Sequence, residues 1–101
     1  MDYKEKLIQF NSTDKYYNEL KFLHSLIGSE RKSIMDYGCG IGTAMRYIFD
    51  KTLSQVKGFD IEHFIPHYEY CNPKDEFDLV YFMHSFAHIE LIESVLKSFF
   101  S

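Results

Sequence analysis

The residues best placed to do chemistry lie in "IMDYGCGIGT", residues 34–43, where Asp36 precedes Gly38, Gly40 and Gly42 and Cys39 sits between the first two glycines. Glycine inside an element costs backbone entropy, so three within five positions imply a sharp turn or a close approach by a ligand. A glycine-rich turn between a buried strand and a helix aims backbone N–H groups and the positive end of the helix dipole at one spot. Such a spot suits a negative or strongly polar group. A second acid, Asp60, closes the short apolar run "VKGFDI". A carboxylate there can accept two hydrogen bonds from ribose hydroxyls. The two features together describe a site for a nucleoside-bearing cofactor.

Other reactive side chains carry less. His63 and His67, and His84 and His88, are each four residues apart, a spacing that lets a helix offer two imidazoles to zinc. No Cys-x-x-Cys accompanies them and neither pair lies on a clearly helical stretch, so no metal site is assigned. Cys39 as a nucleophile has no base near it in sequence, although a thiol beside a helix N-terminus can have a depressed pKa. Asp36 alone could be a solvated strand end, and Asp60 alone a cap or turn residue.

The elements that must position these residues follow from periodicity. Residues 2–10 read as a short helix, and "NSTD" offers caps for a second over "KYYNELKFLHSLIG", with Tyr16, Leu20, Leu23 and Ile27 at helical spacing and Gly28 to end it. "SIMDYG" reads as a buried strand and "IGTAMRYIFDK" as a helix with Ile41, Met45, Ile48 and Phe49 facing inward; "QVKGFDI" is a second strand. "EFDLVYFMHSF" is the strongest strand, because Leu79–Met83 form a continuous apolar run of the kind found in a parallel sheet covered on both faces. "ELIESVLKSFF" reads as a closing helix, with Ile92, Val95, Leu96 and Phe99 at i, i+3, i+4 and i+7. Residues 62–76, with Pro66 and Pro73 as breakers, hold at most one abbreviated helix or strand. This rhythm predicts an α/β, Rossmann-like, mostly parallel sheet with flanking helices.

A nicotinamide fingerprint would place glycine where Thr43 stands. The spacing is instead D-x-G-x-G-x-G, and at this point the chain resembles the N-terminal half of a class I, S-adenosylmethionine-dependent methyltransferase. The resemblance covers roughly residues 34–99 and rests on "IMDYGCGIGTAMRYI", "VKGFDI" and "FDLVYFMHSFAHIE". It implies S-adenosyl-L-methionine as cofactor, with Asp36 near the methionine ammonium and Gly38, Cys39, Gly40 and Gly42 as the turn beside it. Asp60 matches the ribose-binding acid, Ile61 the apolar residue on the adenine face, and Phe82 and Met83 the strand end beside the cofactor. The helix at 12–28 stands where the family often has a lid, and Tyr16 and Tyr17 could help to cover the cofactor there. The family's chemistry is methyl transfer from a sulfonium, where the protein supplies positioning and a water-poor site. A general base is needed only if the acceptor must lose a proton. His88, with His84 beside it, is the catalytic candidate, weighed against a structural role.

The family sheet has seven strands, and this chain supplies three clear ones and a fourth at most. The strand at 77–83 is then expected at an open edge, an association hazard. A fragment, or self-association or a partner chain that covers the edge, is expected ahead of cover by the end helix and the N-terminal helices; a non-catalytic methyltransferase-like subunit serving as a binding or assembly partner is the alternative function.

At 101 residues the chain is expected to form one domain, a helical segment at 1–28 and an α/β core at 33–101. A formal net charge of -4 and the lack of any Lys or Arg run speak against a phosphate-tracking surface and lean toward a small molecule or a protein as acceptor, the small molecule slightly favoured. Two cysteines are too few for a disulfide framework, and no apolar stretch approaches a signal peptide or membrane span. The cytoplasm is the expected location.

Overall fold

The computed structural model describes residues 2–72, 75–83 and 89–93. Two helices open the chain, α1 (Tyr3–Asn11) and α2 (Asp14–Ile27). Each starts on a side-chain cap, Asp2 accepting from Glu5 N–H and Thr13 from Tyr16 N–H, and α2 stops at Gly28. There follow β1 (Ser33–Tyr37), α3 (Thr43–Thr52), β2 (Gln55–Phe59), a 3-10 turn (His67–Glu69), β3 (Leu79–Met83) and β4 (Ile89–Glu93). The abbreviated element expected between 62 and 76 is this 3-10 turn, after which Tyr70 bridges to Gly58.

The four strands form one sheet in the order β2-β1-β3-β4. β1 pairs in parallel with β2 and with β3, whereas β4 runs antiparallel to β3. The chain is thus an α/β fold with a Rossmann-like, mostly parallel sheet and flanking helices. One face of the sheet packs Ile34, Leu79 and Tyr81 against Leu20, Leu23 and Ile27 of α2 and Ala44 and Ile48 of α3. Each such aliphatic side chain stabilises the fold by roughly 1.5–3 kcal/mol. The other face carries Met35, Val80 and Phe77, followed by the aromatic row Tyr37, Phe59 and Phe82 at the strand ends. Phe49, expected on the inner face of α3, is instead half exposed.

The structure corrects two expectations at the C-terminal end. Residues 89–93 are a strand and not the first turn of a helix. Ile89 and Leu91 pack toward the core while Glu90 and Ile92 are exposed, a period of two that the helical stripe through Ile92 obscured. Val95, Leu96 and Phe99 lie outside the described residues. β3 is consequently not an edge: all five of its residues are paired with β4. A long apolar edge strand is a pairing template, and the chain itself satisfies it. No helix among the described residues is long and apolar enough to cross a membrane.

Candidate functional site

The parallel register sets Asp36 between Gly58 of β2 and Tyr81 of β3. Asp36 is almost fully buried, and its Oδ2 accepts a hydrogen bond from the Tyr81 hydroxyl at 2.7 Å. Burial pushes its carboxyl up to about 7, the Tyr81 hydrogen bond works in the opposite direction, and the nearby Asp60 charge adds to the rise. Tyr81 and Tyr16 are both raised by burial and by Asp36, and Tyr16 also by Glu19, so these hydroxyls stay protonated.

After β1 the chain turns through Gly38, Gly40 and Gly42, all at positive φ between 56° and 84°. Only glycine occupies that region freely, and three such residues reverse the chain into α3. The turn is closed from within. Gly38 and Cys39 both donate to Phe59 O, Gly42 donates to Cys39 O, and Gly40 donates to Asp60 Oδ2 at 2.9 Å. Four of the turn's amide donors are therefore spent inside the protein rather than presented as an anion cradle. Asp60 faces the turn, and its other oxygen accepts from Glu62 N–H. Ile61 beside it is 92% exposed.

A cavity of about 270 Å³ lies against this turn at Gly38, Cys39 and Gly40. Its other walls are Tyr3, Leu7, Phe10 and Asn11 of α1, Tyr16 and Glu19 of α2, and Met83 at the end of β3. A side chain added at Gly38 would meet nothing within 4 Å, so the turn leaves room on that side. Among the described residues no lysine or arginine lines the cavity. Asn11 of α1 donates to the Thr43 hydroxyl at the start of α3 (2.9 Å), which ties α1 across the site. α2, the helix expected as a lid, is core; α1, with no buried residue, forms the outer wall.

A family profile described as "Methyltransferase domain" matches residues 9–101. The chain belongs to the methyltransferase domain family. Comparison with curated proteins and with solved structures returned no match. In this methyltransferase domain the structure brings Gly38, the Cys39 backbone, Gly40, Met83 and Asp60 to one place, with Asp36 behind them. The Cys39 side chain points back under the turn, against Gly58 and Met45, and burial first, with Asp36 and Asp60 nearby, pushes its thiol up to about 12. Such a thiol packs and does not react. Phe82 ends β3 next to Met83, and its ring lies on the opposite face of the sheet, 4.9 Å from Tyr37. Gly42 caps α3, hemmed in by Arg46 and Ile65 rather than by the cavity. Tyr17 is half exposed and meets Tyr47 edge to face.

His84 and His88 lie outside the described residues. His63 stacks on Tyr70 and its Nε2 is 3.1 Å from Asp60 O. Among the described residues no group of three His, Cys, Asp or Glu side chains is placed to hold a metal ion. Sequence reasoning missed Glu19 and Tyr81. Glu19 was signalled by an acid inside the apolar stripe Tyr16–Leu20–Leu23–Ile27, and Tyr81 by a hydroxyl in an otherwise apolar strand.

Proposed function

We propose that this chain binds S-adenosyl-L-methionine beside the 38–42 turn and transfers its methyl group to a small-molecule acceptor. The observation that carries this reading is electrostatic. The cavity is lined by the acid Glu19, backed by Asp36 and bordered by Asp60, and among the described residues no basic side chain lines it. Four of the turn's amide donors are occupied internally. A dinucleotide pyrophosphate would meet carboxylates at a turn whose donors are mostly spent, whereas a cofactor with a sulfonium and an ammonium meets favourable potential. The fit of the remaining groups is consistent with this: Asp60 would take the ribose hydroxyls, exposed Ile61 the adenine face, and Gly38 and Gly40 leave the space.

When bound, S-adenosylmethionine supplies an already activated methyl group. The chain's own contribution is then orientation and dryness. Tyr3, Leu7 and Phe10 wall the cavity from one side, and Met83 closes it at the sheet. The net charge of -4 disfavours bulk nucleic acid as acceptor and suits a small molecule or a protein, of which we propose the small molecule.

Equilibrium dialysis with S-adenosylmethionine tests the reading. Wild type is expected to bind, and Asp60→Ala to bind at least about tenfold more weakly through loss of charge-assisted hydrogen bonds. No binding by protein shown to be folded by circular dichroism overturns the proposal. Binding with no transfer to any acceptor would favour the non-catalytic subunit.

A further inference from the structure

Glu19 is only 7% exposed, and neither of its carboxyl oxygens has a hydrogen-bond partner among the described residues. A buried carboxyl with nothing to bond costs several kcal/mol, so a fold that keeps one has a use for it. It lines the cavity at the glycine turn and also a second cavity of about 260 Å³. That second space is bounded by Phe22 and Asn18 of α2 and by Ile89, and Ile89 is paired with Met83 across the β3–β4 ladder. Met83 belongs to the first cavity. Glu19 is therefore a wall that the two cavities share, one against the turn and the other apolar on two sides.

We infer that the second cavity seats the methyl acceptor, and that this acceptor is a small amine with an apolar substituent, held at its nitrogen by Glu19. The inference rests on the proposed function for the identity of the first cavity's ligand. An acceptor atom must reach the cofactor's methyl, so it belongs at the wall that the two spaces share, where Glu19 is. An amine donates N–H to that carboxyl, and Phe22 and Ile89 pack its substituent. The amine reacts through its neutral form, after its ammonium has lost one proton to water. The nitrogen lone pair forms the new N–C bond as the methyl's bond to sulfur breaks, with that electron pair left on sulfur. One positive charge passes from sulfur to nitrogen, beside an acidic side chain suited to hold it. Lys15, one turn earlier on α2, borders the second cavity but does not partner Glu19.

Titration calorimetry on the full chain, with benzylamine and benzyl alcohol as probes, tests the site. Benzylamine should bind wild type at least about tenfold more tightly than benzyl alcohol. Glu19→Gln keeps the shape without the charge and should bring the two probes within about twofold. Glu19→Asp keeps the charge, should retain part of the preference, and serves if the Gln variant does not fold. No amine preference in wild type, or a preference that survives in Glu19→Gln, overturns the inference. So does a Glu19→Gln variant that loses S-adenosylmethionine yet keeps the amine preference, because Glu19 would then serve the cofactor. Amine preference in a wild type that binds no S-adenosylmethionine would refute the proposed function and still support the amine site.

Discussion

Asp36 is an acid in the middle of a buried strand, with Tyr81, Tyr16 and Asp60 around it and no basic partner among the described residues. Its carboxyl is raised to about 7, so between the ordinary carboxylate range and that value the folded state binds a proton that the unfolded state has released. The sign follows: this residue's contribution to stability is full at acid pH and is lost as pH rises from about 4 to about 7. Asp36→Asn should therefore stabilise the protein at pH 8 by about 1–3 kcal/mol in urea denaturation and flatten the pH dependence across that window. The same substitution should weaken binding of a cationic cofactor. Asp60 acts differently, since it holds the turn by accepting from Gly40 N–H. Asp60→Ala should cost about 1–2 kcal/mol of stability besides affinity, because a donor in the turn is left without its partner. Both acids were legible in the sequence, because glycine spacing on one side and a strand end on the other marked them. Glu19 was not, because the sequence does not reveal whether an acid on an apolar stripe finds a partner.

At the scale of elements, the turn between β1 and α3 is built against β2 as much as against a ligand. A Cβ at Gly58 would lie 2.6 Å from Cys39 Sγ and 2.9 Å from Met45 Sδ. Gly58→Ala should thus destabilise the fold by about 1–3 kcal/mol through overpacking, measured by thermal or urea unfolding. It should also displace the Cys39 backbone and so weaken cofactor binding. The Cys39→Ala background should relieve part of the loss, a coupling that a double-mutant cycle reads directly. The glycine run announced its own turn, but not that Cys39 fills the space Gly58 leaves. Contacts between residues 19 apart in sequence depend on strand register, which short apolar runs do not specify.

For the whole molecule, order β2-β1-β3-β4 makes β1 and β3 the doubly paired strands. Native-state amide exchange should be slowest in Ile34–Asp36 and Leu79–Tyr81, and faster in β2, whose outer side meets the Tyr70 bridge, and in β4, which has one neighbouring strand among the described residues. Parallel pairing and the α/β class were readable from buried apolar runs alternating with amphipathic helices. The antiparallel return of β4 was not, since "IELIE" fits a period of two and also begins a helical stripe. The unpaired edge of β3 decided between them, and that is a property of the assembled sheet and not of the local residues.

The central claim, that the cavity beside the glycine turn holds a cationic nucleoside cofactor next to Asp36, is tested most directly by the pH dependence of S-adenosylmethionine affinity in titration calorimetry. With the Asp36 carboxyl at about 7, affinity should rise about tenfold from pH 6 to pH 8 with its midpoint near 7, release a proton on binding, and be flat in Asp36→Asn. Folded wild-type protein that binds nothing across this range, or binds with an affinity indifferent to both pH and Asp36→Asn, would contradict the account.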